Sequence, residues 1–330
     1  MQAWRVHELG EPIDVLRLDE VDPPVPPPGH VVVEVAAAAL NFPDILLCKG
    51  EYQEKPALPF TPGVEMAGTV VEVGEGVDGL APGDRVLGAP TMGPGGLAER
   101  TVAPAAALYP VPAGMSWTSA AALHVTYQTG WVALHTRAHI QPGETLLVHA
   151  GAGGVGSAAI QLGQAAGARV VATAGGADKV KVLHELGVDL AVDYRADDFV
   201  EAVKEFTDGR GADVVYDPVG GDVFDKSTKC IAFEGRLLVI GFTSGRIPQA
   251  RANHVLVKNY SVVGVHWGLY NRRRPEVPRQ AHEALTRLYA DGLIDPLVSQ
   301  VVPFDQAPAA LVSLGGRGTY GKVVVDVASG

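Results

Sequence analysis

Residues 145–174, TLLVHAGAGGVGSAAIQLGQAAGARVVATA, constrain this chain more tightly than any other stretch. They begin with an apolar run, Leu146, Leu147 and Val148, of the kind that forms a strand covered on both faces. Gly151, Gly153 and Gly156 follow in G-x-G-x-x-G spacing, then an Ala-rich helical segment over about 157–166 and a second strand over 170–173. Each glycine has a separate role in this arrangement: Gly151 for the tight turn, Gly153 for close approach of a pyrophosphate to the backbone, Gly156 for helix-on-strand packing. The helix N-terminus then presents N–H groups and a positive dipole end to phosphate. Strand, glycines, helix and strand in that order predict a dinucleotide site.

The end of the second strand bears on which dinucleotide. A site for a free ribose 2′-hydroxyl places Asp or Glu about twenty residues beyond the first glycine. Here that position reads Thr173-Ala174-Gly175-Gly176-Ala177, without an acid. Small residues leave room for a 2′-phosphate that a carboxylate would repel. Gly175, with Lys179 just beyond and Tyr194 before Arg195 at the end of the next strand, predicts a phosphate site and hence NADPH.

From residue 145 onward strand and helix alternate: helices over 178–186, 198–206 and 223–233, strands over 190–194, 212–217 and 236–241, and a β-rich stretch over 260–267. This pattern predicts an α/β fold with a Rossmann doubly wound parallel sheet. The strand ends at Gly220 and at Gly241, Phe242 and Thr243 are expected over the nicotinamide half. Residues 1 to about 120 carry short β-type runs broken by Pro and Gly, which predicts a β-rich barrel or sandwich. A helical stretch, 116–138, with Ser116 or Thr118 as its cap, links the two parts. A tail helix over 280–290 and strands over 298–302 and 322–327 are assigned back to the first part. The expected domains are therefore 1–123 with 268–330, discontinuous and catalytic, and 124–267, nucleotide-binding, with substrate between them.

At 330 residues with a net charge of −11, the chain suits two domains and disfavours nucleic-acid partners. Two cysteines, Cys48 and Cys230, make neither a disulfide framework nor a cysteine-rich metal site. No apolar run has the length of a membrane span, and residues 1–12 lack the apolar core of a signal peptide. A cytoplasmic protein with no membrane partner is expected.

The motifs Asn41-Phe42-Pro43-Asp44, GVEMAG at 63–68, GDRV at 83–86, the glycine fingerprint, and KNYSVVG at 258–264 are those of a known family. Over essentially its whole length the chain resembles the medium-chain dehydrogenase/reductase superfamily, and within it the zinc-free, zeta-crystallin-like quinone oxidoreductases. The resemblance implies a GroES-like first domain. Zinc-dependent relatives place Cys where Asn41 stands and His where Val64 stands, so no metal is expected. Glu65 is read as a structural carboxylate, and His124, His135, His139 and His149 as core or surface residues.

The resemblance also implies that Asn41 and Thr129 contact nicotinamide or its ribose. Gly153, Gly154, Val155 and Gly156 would hold the pyrophosphate. Gly175, Lys179 and Tyr194 would hold the 2′-phosphate, with Arg317 reaching the phosphate end, and Phe242 and Thr243 would lie over the carboxamide. Tyr52 is the candidate proton donor. Without zinc, the acceptor must already be electrophilic, which implies hydride transfer from NADPH to a quinone. An alkene reductase of enones, acrylates or enoyl thioesters is the first alternative, and the Arg272-Arg273-Arg274 run would then serve an anionic substrate. A non-catalytic NADPH-binding protein with a crystallin-like, sensing or RNA-binding role is the second. Relatives pair their sixth strands edge to edge, so a homodimer, or a homotetramer built from it, is expected.

Overall fold

The computed structural model describes residues 1–328. The chain forms two compact units, Met1–Val125 with the segment from Asp295 onward, and Thr126–Ile294.

The first unit opens with an antiparallel pair, β1 (Gln2–Val6) and β2 (Leu16–Glu20), joined through a single turn, α1 (Pro12–Val15). The long strand β3 (His30–Ala39) is followed by α2 (Phe42–Lys49), β4 (Met66–Val73), β5 (Arg85–Gly88), β6 (Arg100–Pro104) and β7 (Leu108–Pro110). Helix α3 (Trp117–Trp131) comes next, its first turn closed by the Ser119 N–H donating to Ser116 Oγ at 3.1 Å. Ser116 therefore takes the capping role for which Thr118 was the other candidate. Six residues of wider π-helix, Val132–Arg137, extend it.

The second unit continues through β8 (Thr145–Val148), α4 (Gly154–Ala165), β9 (Arg169–Ala174), α5 (Ala177–Glu185), β10 (Leu190–Asp193) and α6 (Phe199–Phe206). It is completed by β11 (Ala212–Asp217), α7 (Gly221–Ser227), β12 (Ile231–Val239), α8 (Ala252–Lys258), β13 (Ser261–Gly264), α9 (Tyr270–Arg273) and α10 (Glu276–Ala290). The tail, β14 (Val298–Pro303), α11 (Ala307–Gly315) and β15 (Lys322–Asp326), belongs to the first unit.

In the second unit the strand order is β10-β9-β8-β11-β12-β13, all parallel, as expected. Leu146, Leu147, Val170, Val171, Val214, Val215, Leu237 and Leu238 are all buried, because helices cover both faces of such a sheet. Chain order reverses between β8 and β11, and ligands bind at the carboxyl ends of strands flanking such a reversal. In the first unit the main sheet runs β14-β15-β3-β4-β5-β7, with β6 also on β3. Its core contains Val31, Val33, Met66, Val86, Leu97 and Val325.

Three expectations need correction. Residues 268–294 pack with the second unit, not the first. The reason is α10, which buries Val277, Ala281 and Leu285 and packs on Val132–Arg137. Only from Asp295 does the tail return, where β15 pairs with β3 at Val324↔Ala39. The helix expected over 223–233 stops at Ser227, because Ile231 already pairs with Ala212. A register shift between that pairing and Val214↔Arg236 accommodates Glu234 at φ 59°, so residues that read as helix form an irregular strand start. Finally, α4 begins at Gly154 and not near 157, which puts the last fingerprint glycine, Gly156, inside its first turn and makes Gly153 its N-cap.

No helix among the described residues is long and apolar enough to cross a membrane. Cys48 and Cys230 are both buried thiols.

Candidate functional site

The fingerprint turn leaves β8 through His149 and Ala150, the latter at φ 49°. The Gly151 N–H donates to Thr173 O at 2.9 Å and the Gly153 N–H to Ala150 O at 2.9 Å, which folds the turn back on itself. A Cβ on Gly156 would lie 2.2 Å from Ala150 O, and one on Gly151 would lie 2.9 Å from Leu183 Cδ2 and 3.0 Å from Ala172 Cβ. At Gly153 the nearest atom would be Ala150 O at 3.3 Å. Gly151 and Gly156 are thus small for the protein's own packing, whereas Gly153 keeps space open on its outer side. Gly153 is the N-cap of α4, followed by Gly154, Val155 and Gly156. First-turn N–H groups have no partner one turn earlier in the helix, and together with the dipole they suit a pyrophosphate.

His149 fastens the underside of this turn. It is 1% exposed, with Nδ1 3.0 Å from Thr173 Oγ1 and Nε2 2.8 Å from Ser227 Oγ. Ser227 Oγ gives its own proton to Val223 O at 2.7 Å, so it must accept from His149. The imidazole is therefore the neutral Nε2–H tautomer, with Nδ1 accepting from the Thr173 hydroxyl. Burial lowers its pKa from 6.5 to about 3. One side chain thus ties together the ends of β8 and β9 and helix α7.

At the end of β9 the structure brings Gly175, Tyr194 and Arg195 together. A Cβ on Gly175 would meet Tyr194 Oη at 2.5 Å and Arg195 Nε at 3.0 Å, and one on Gly176 would meet the Arg195 guanidinium at 3.3 Å. Tyr194 is 48% exposed, so its hydroxyl lies over the loop at the surface. Asp193 Oδ1 accepts both the Gly176 N–H and the Arg195 N–H at 3.0 Å, which locks the two loops together. These two backbone donors hold the Asp193 carboxyl below the usual range. Lys179, half-buried, sits in the first turn of α5, its N–H donating to Gly176 O at 3.1 Å. Phenol and guanidinium over a glycine pair, with Lys179 in the helical turn that follows, suit a phosphate monoester. Arg195 is the addition here. The sequence showed it beside Tyr194, but only the fold of the 193–195 turn directs it toward Gly175.

The loops after β11 and β12 interlock at the same edge of the sheet. Asp217, buried, accepts the Val219 and Gly220 N–H groups at 2.8 and 3.0 Å. The Thr243 N–H and hydroxyl both donate to Pro218 O at 3.1 Å. Phe242 packs so close to Gly220 that a Cβ there would meet its ring at 2.9 Å. Gly241, Phe242 and Thr243 therefore form one loop braced against the turn after β11. Thr129 is half-buried on α3, next to Gln128, whose Oε1 accepts the Trp267 indole N–H at 3.0 Å.

In the first unit, Asn41 precedes α2 and is 7% exposed. Its Nδ2 donates to Ala39 O at 3.0 Å and to Glu65 Oε2 at 2.9 Å, and its Oδ1 accepts from Lys322 Nζ at 2.7 Å. Lys322 Nζ also donates to Glu65 Oε2 and to Leu40 O, both at 3.0 Å. Glu65 Oε1 accepts the Val125 N–H at 2.6 Å. Glu65 thus joins Asn41, Val125 and Lys322, and of these Lys322 was not singled out from the sequence. Asp44 accepts the N–H groups of Asn41, Gly63 and Val64 at 2.8 to 3.1 Å, while burial pushes its pKa up to about 6. Tyr52 is half-buried in the loop after α2, and its phenol is pushed up first by burial, then by Glu54 and Asp44, so it keeps its proton. Arg317 follows α11 in this unit at φ 59°, exposed, and so comes from a different unit than the Gly175 loop.

Among the described residues no group of three or more His, Cys, Asp and Glu side chains converges as a metal site.

Comparison with known proteins agrees with this architecture. Residues 27–113 match the Alcohol dehydrogenase GroES-like domain, and residues 154–287 match the Zinc-binding dehydrogenase family. The chain is 41% identical to a quinone oxidoreductase-like protein 2 homolog of Nematostella vectensis, covering 98% of this chain and 88% of that protein. The Escherichia coli quinone oxidoreductase solved in complex with NADPH superposes with a TM-score of 0.91 at 32% identity, over 99% of this chain and 100% of the other. The CurK enoyl reductase superposes with a TM-score of 0.88, also at 32% identity, over 98% of both chains. With the fold, the fingerprint and a relative of this identity along almost its full length, the chain belongs to the medium-chain dehydrogenase/reductase family, among the quinone oxidoreductase-like proteins.

Proposed function

We propose that this protein is an NADPH-dependent oxidoreductase that delivers hydride to a quinone without a metal ion. The observation that carries the cofactor is the end of β9, where Tyr194 and Arg195 lie over Gly175 and Gly176 with no acid on the strand end. Gly153, Gly154, Val155 and Gly156 would take the pyrophosphate and Gly175, Lys179, Tyr194 and Arg195 the 2′-phosphate. Gly241, Phe242, Thr243 and Thr129 would bear on the nicotinamide end, with Arg317 as a further cation. Bound NADPH supplies a hydride, and a proton from Tyr52 or solvent completes reduction of the quinone to the quinol.

The metal-free reading rests on the buried Asn41–Glu65–Lys322 cluster. An amide replaces a soft ligand, and an ammonium already neutralises Glu65 within 3.0 Å. The Zinc-binding dehydrogenase match covers residues 154–287 and bears on the nucleotide-binding unit. Metal analysis after chelation is expected to find no zinc and no loss of turnover; stoichiometric zinc whose removal abolishes turnover would refute this part.

The likeness to an enoyl reductase favours one second reading, reduction of a polarised C=C bond. The deciding experiment follows NADPH and NADH oxidation with a para-quinone, an ortho-quinone, an enone, an acrylate and an enoyl-CoA. Quinone turnover with NADPH preference supports the main reading, and turnover confined to the alkenes replaces it. NADPH binding with no turnover on any acceptor would favour a binding or sensing role.

A homodimer through β13 is part of the proposal. This short edge strand pairs only with β12 among the described residues, and beside it Phe233, Leu256 and Val257 are 69%, 76% and 81% exposed. A second copy placed edge to edge would continue the six-stranded sheet and cover these side chains. Leu256→Glu/Val257→Glu is expected to sediment as a monomer; an unchanged dimer would place the interface elsewhere.

A further inference from the structure

We infer that Lys322 and Glu65 are positioning residues that hold the Asn41 amide in a single orientation, leaving it able to accept a hydrogen bond from a bound dinucleotide but not to donate one. The inference rests on the proposed NADPH binding for its ligand, and on the cluster alone for its geometry.

The three members come from far apart in the chain: Asn41 before α2, Glu65 before β4, Lys322 at the start of β15. The Lys322 side chain is 5% exposed and Glu65 is fully buried. The ammonium spends all three hydrogens inside the protein, on Leu40 O, Asn41 Oδ1 and Glu65 Oε2. Because an ammonium only donates, it fixes the carbonyl end of the Asn41 amide toward itself. The NH2 end faces two acceptors, Ala39 O and Glu65 Oε2, and spends both hydrogens on them. The flipped amide would set NH2 against the ammonium and oxygen against a carboxylate and a carbonyl, losing three hydrogen bonds and adding repulsion. The orientation is therefore dictated by charge.

What remains on Asn41 is one lone pair of Oδ1, on a residue 7% exposed. It suits a ribose hydroxyl or the NH2 of a carboxamide. It cannot stabilise a developing oxyanion, which needs a donor. Asn41 is therefore assigned to holding the dinucleotide, and protonation of the acceptor falls to Tyr52 or solvent. The pair also accounts for a buried lysine directly ahead of the apolar run Val323, Val324 and Val325.

The test uses the full-length protein labelled with [15N]asparagine. The chain has four asparagines, at 41, 253, 259 and 271, so four side-chain NH2 pairs appear in the spectrum. The Asn41 pair, identified by its loss in Asn41→Ala, is expected to exchange slowly with solvent. In Lys322→Met it is expected to shift and exchange fast, and NADPH affinity is expected to fall about threefold to tenfold, the worth of one hydrogen bond. In Asn41→Ala/Lys322→Met, affinity is expected to fall no further than in Asn41→Ala alone, because both changes remove the same interaction.

Where Lys322→Met does not fold because Glu65 is left charged and buried, Glu65→Gln/Lys322→Met removes both charges and is expected to release the Asn41 pair equally. An Asn41 pair unchanged in both variants would overturn the inference. So would losses of affinity that multiply in the Asn41→Ala/Lys322→Met variant. Failure of the wild-type protein to bind NADPH would instead sink the proposed cofactor, while the exchange of the Asn41 pair would still decide the role of Lys322 and Glu65.

Discussion

Acid is expected to weaken the nucleotide-binding unit through His149. Its imidazole is buried between hydroxyls, with Thr173 and Ser227 as partners, and its pKa falls from 6.5 to about 3. An unfolded chain releases the ring to its ordinary pKa, so below pH 6.5 the unfolded state binds a proton that the folded state refuses. Stability from this group is therefore complete above pH 7 and drains away as pH falls toward 3. Between pH 7.5 and 5 the loss amounts to about 2 kcal/mol, and by pH 4 to about 3 kcal/mol. For a unit of this size 2 kcal/mol corresponds to roughly 4–8 °C in Tm.

Asp44, in the other unit, works in the opposite direction. Its pKa is raised from 3.8 to about 6, so the folded state holds a proton the unfolded state has released, and acid in that window favours folding. A pH series on the wild type alone would mix the two effects. The assay is calorimetry on wild type and His149→Gln at pH 7.5 and 5, comparing the transition of the nucleotide-binding unit. The variant starts less stable because it loses packing and a hydrogen bond, and the gap should close by about 2 kcal/mol at pH 5, where the wild-type histidine exacts its penalty. A gap that stays constant across this range would refute the reasoning. An NMR titration placing the His149 ring near its ordinary pKa would do the same. Because His149 lies directly before the fingerprint turn, NADP+ affinity of the wild type should weaken over the same pH range.

Three further outcomes are expected. Gly156→Ala places a Cβ 2.2 Å from Ala150 O and should lose nucleotide binding along with about 1–3 kcal/mol of stability, whereas Gly153→Ala, with 3.3 Å to the same atom, should lose affinity at nearly unchanged Tm; titration calorimetry and thermal unfolding separate the two. Lys179→Ala and Arg195→Ala should each weaken NADPH binding about tenfold or more and leave NADH within about twofold, and equal effects on both nucleotides would remove that residue from the phosphate site. Asp44→Asn turns an NH2 toward one of three backbone donors and should cost about 1–3 kcal/mol at pH 7.5, measured by urea unfolding.

The sequence by itself determined the features that depend on neighbours along the chain. A helix cap, a tight turn and strand periodicity are short-range properties, so residues 145–174 disclosed their strand, turn, helix and strand. The absence of an acid after β9 and the presence of Tyr194 at the next strand end were legible for the same reason. Short-range reading also failed in identifiable places. The segment after Ser227 looked helical because its apolar spacing carries no sign that Ile231 will pair with Ala212. The stretch 268–294 was misassigned because the fate of α10 depends on which surface buries Val277, Ala281 and Leu285.

Only the tertiary structure decided the charged cluster of the first unit. Lys322 reads as one more lysine ahead of a valine run until the fold brings it to Glu65, 257 residues earlier in the chain. Burying that ammonium is tolerable only where oxygen atoms from Leu40, Asn41 and Glu65 converge on it, and such convergence is a property of three-dimensional packing. The same holds for Arg195 over Gly175 and for the tautomer of His149, each set by partners on other strands and helices.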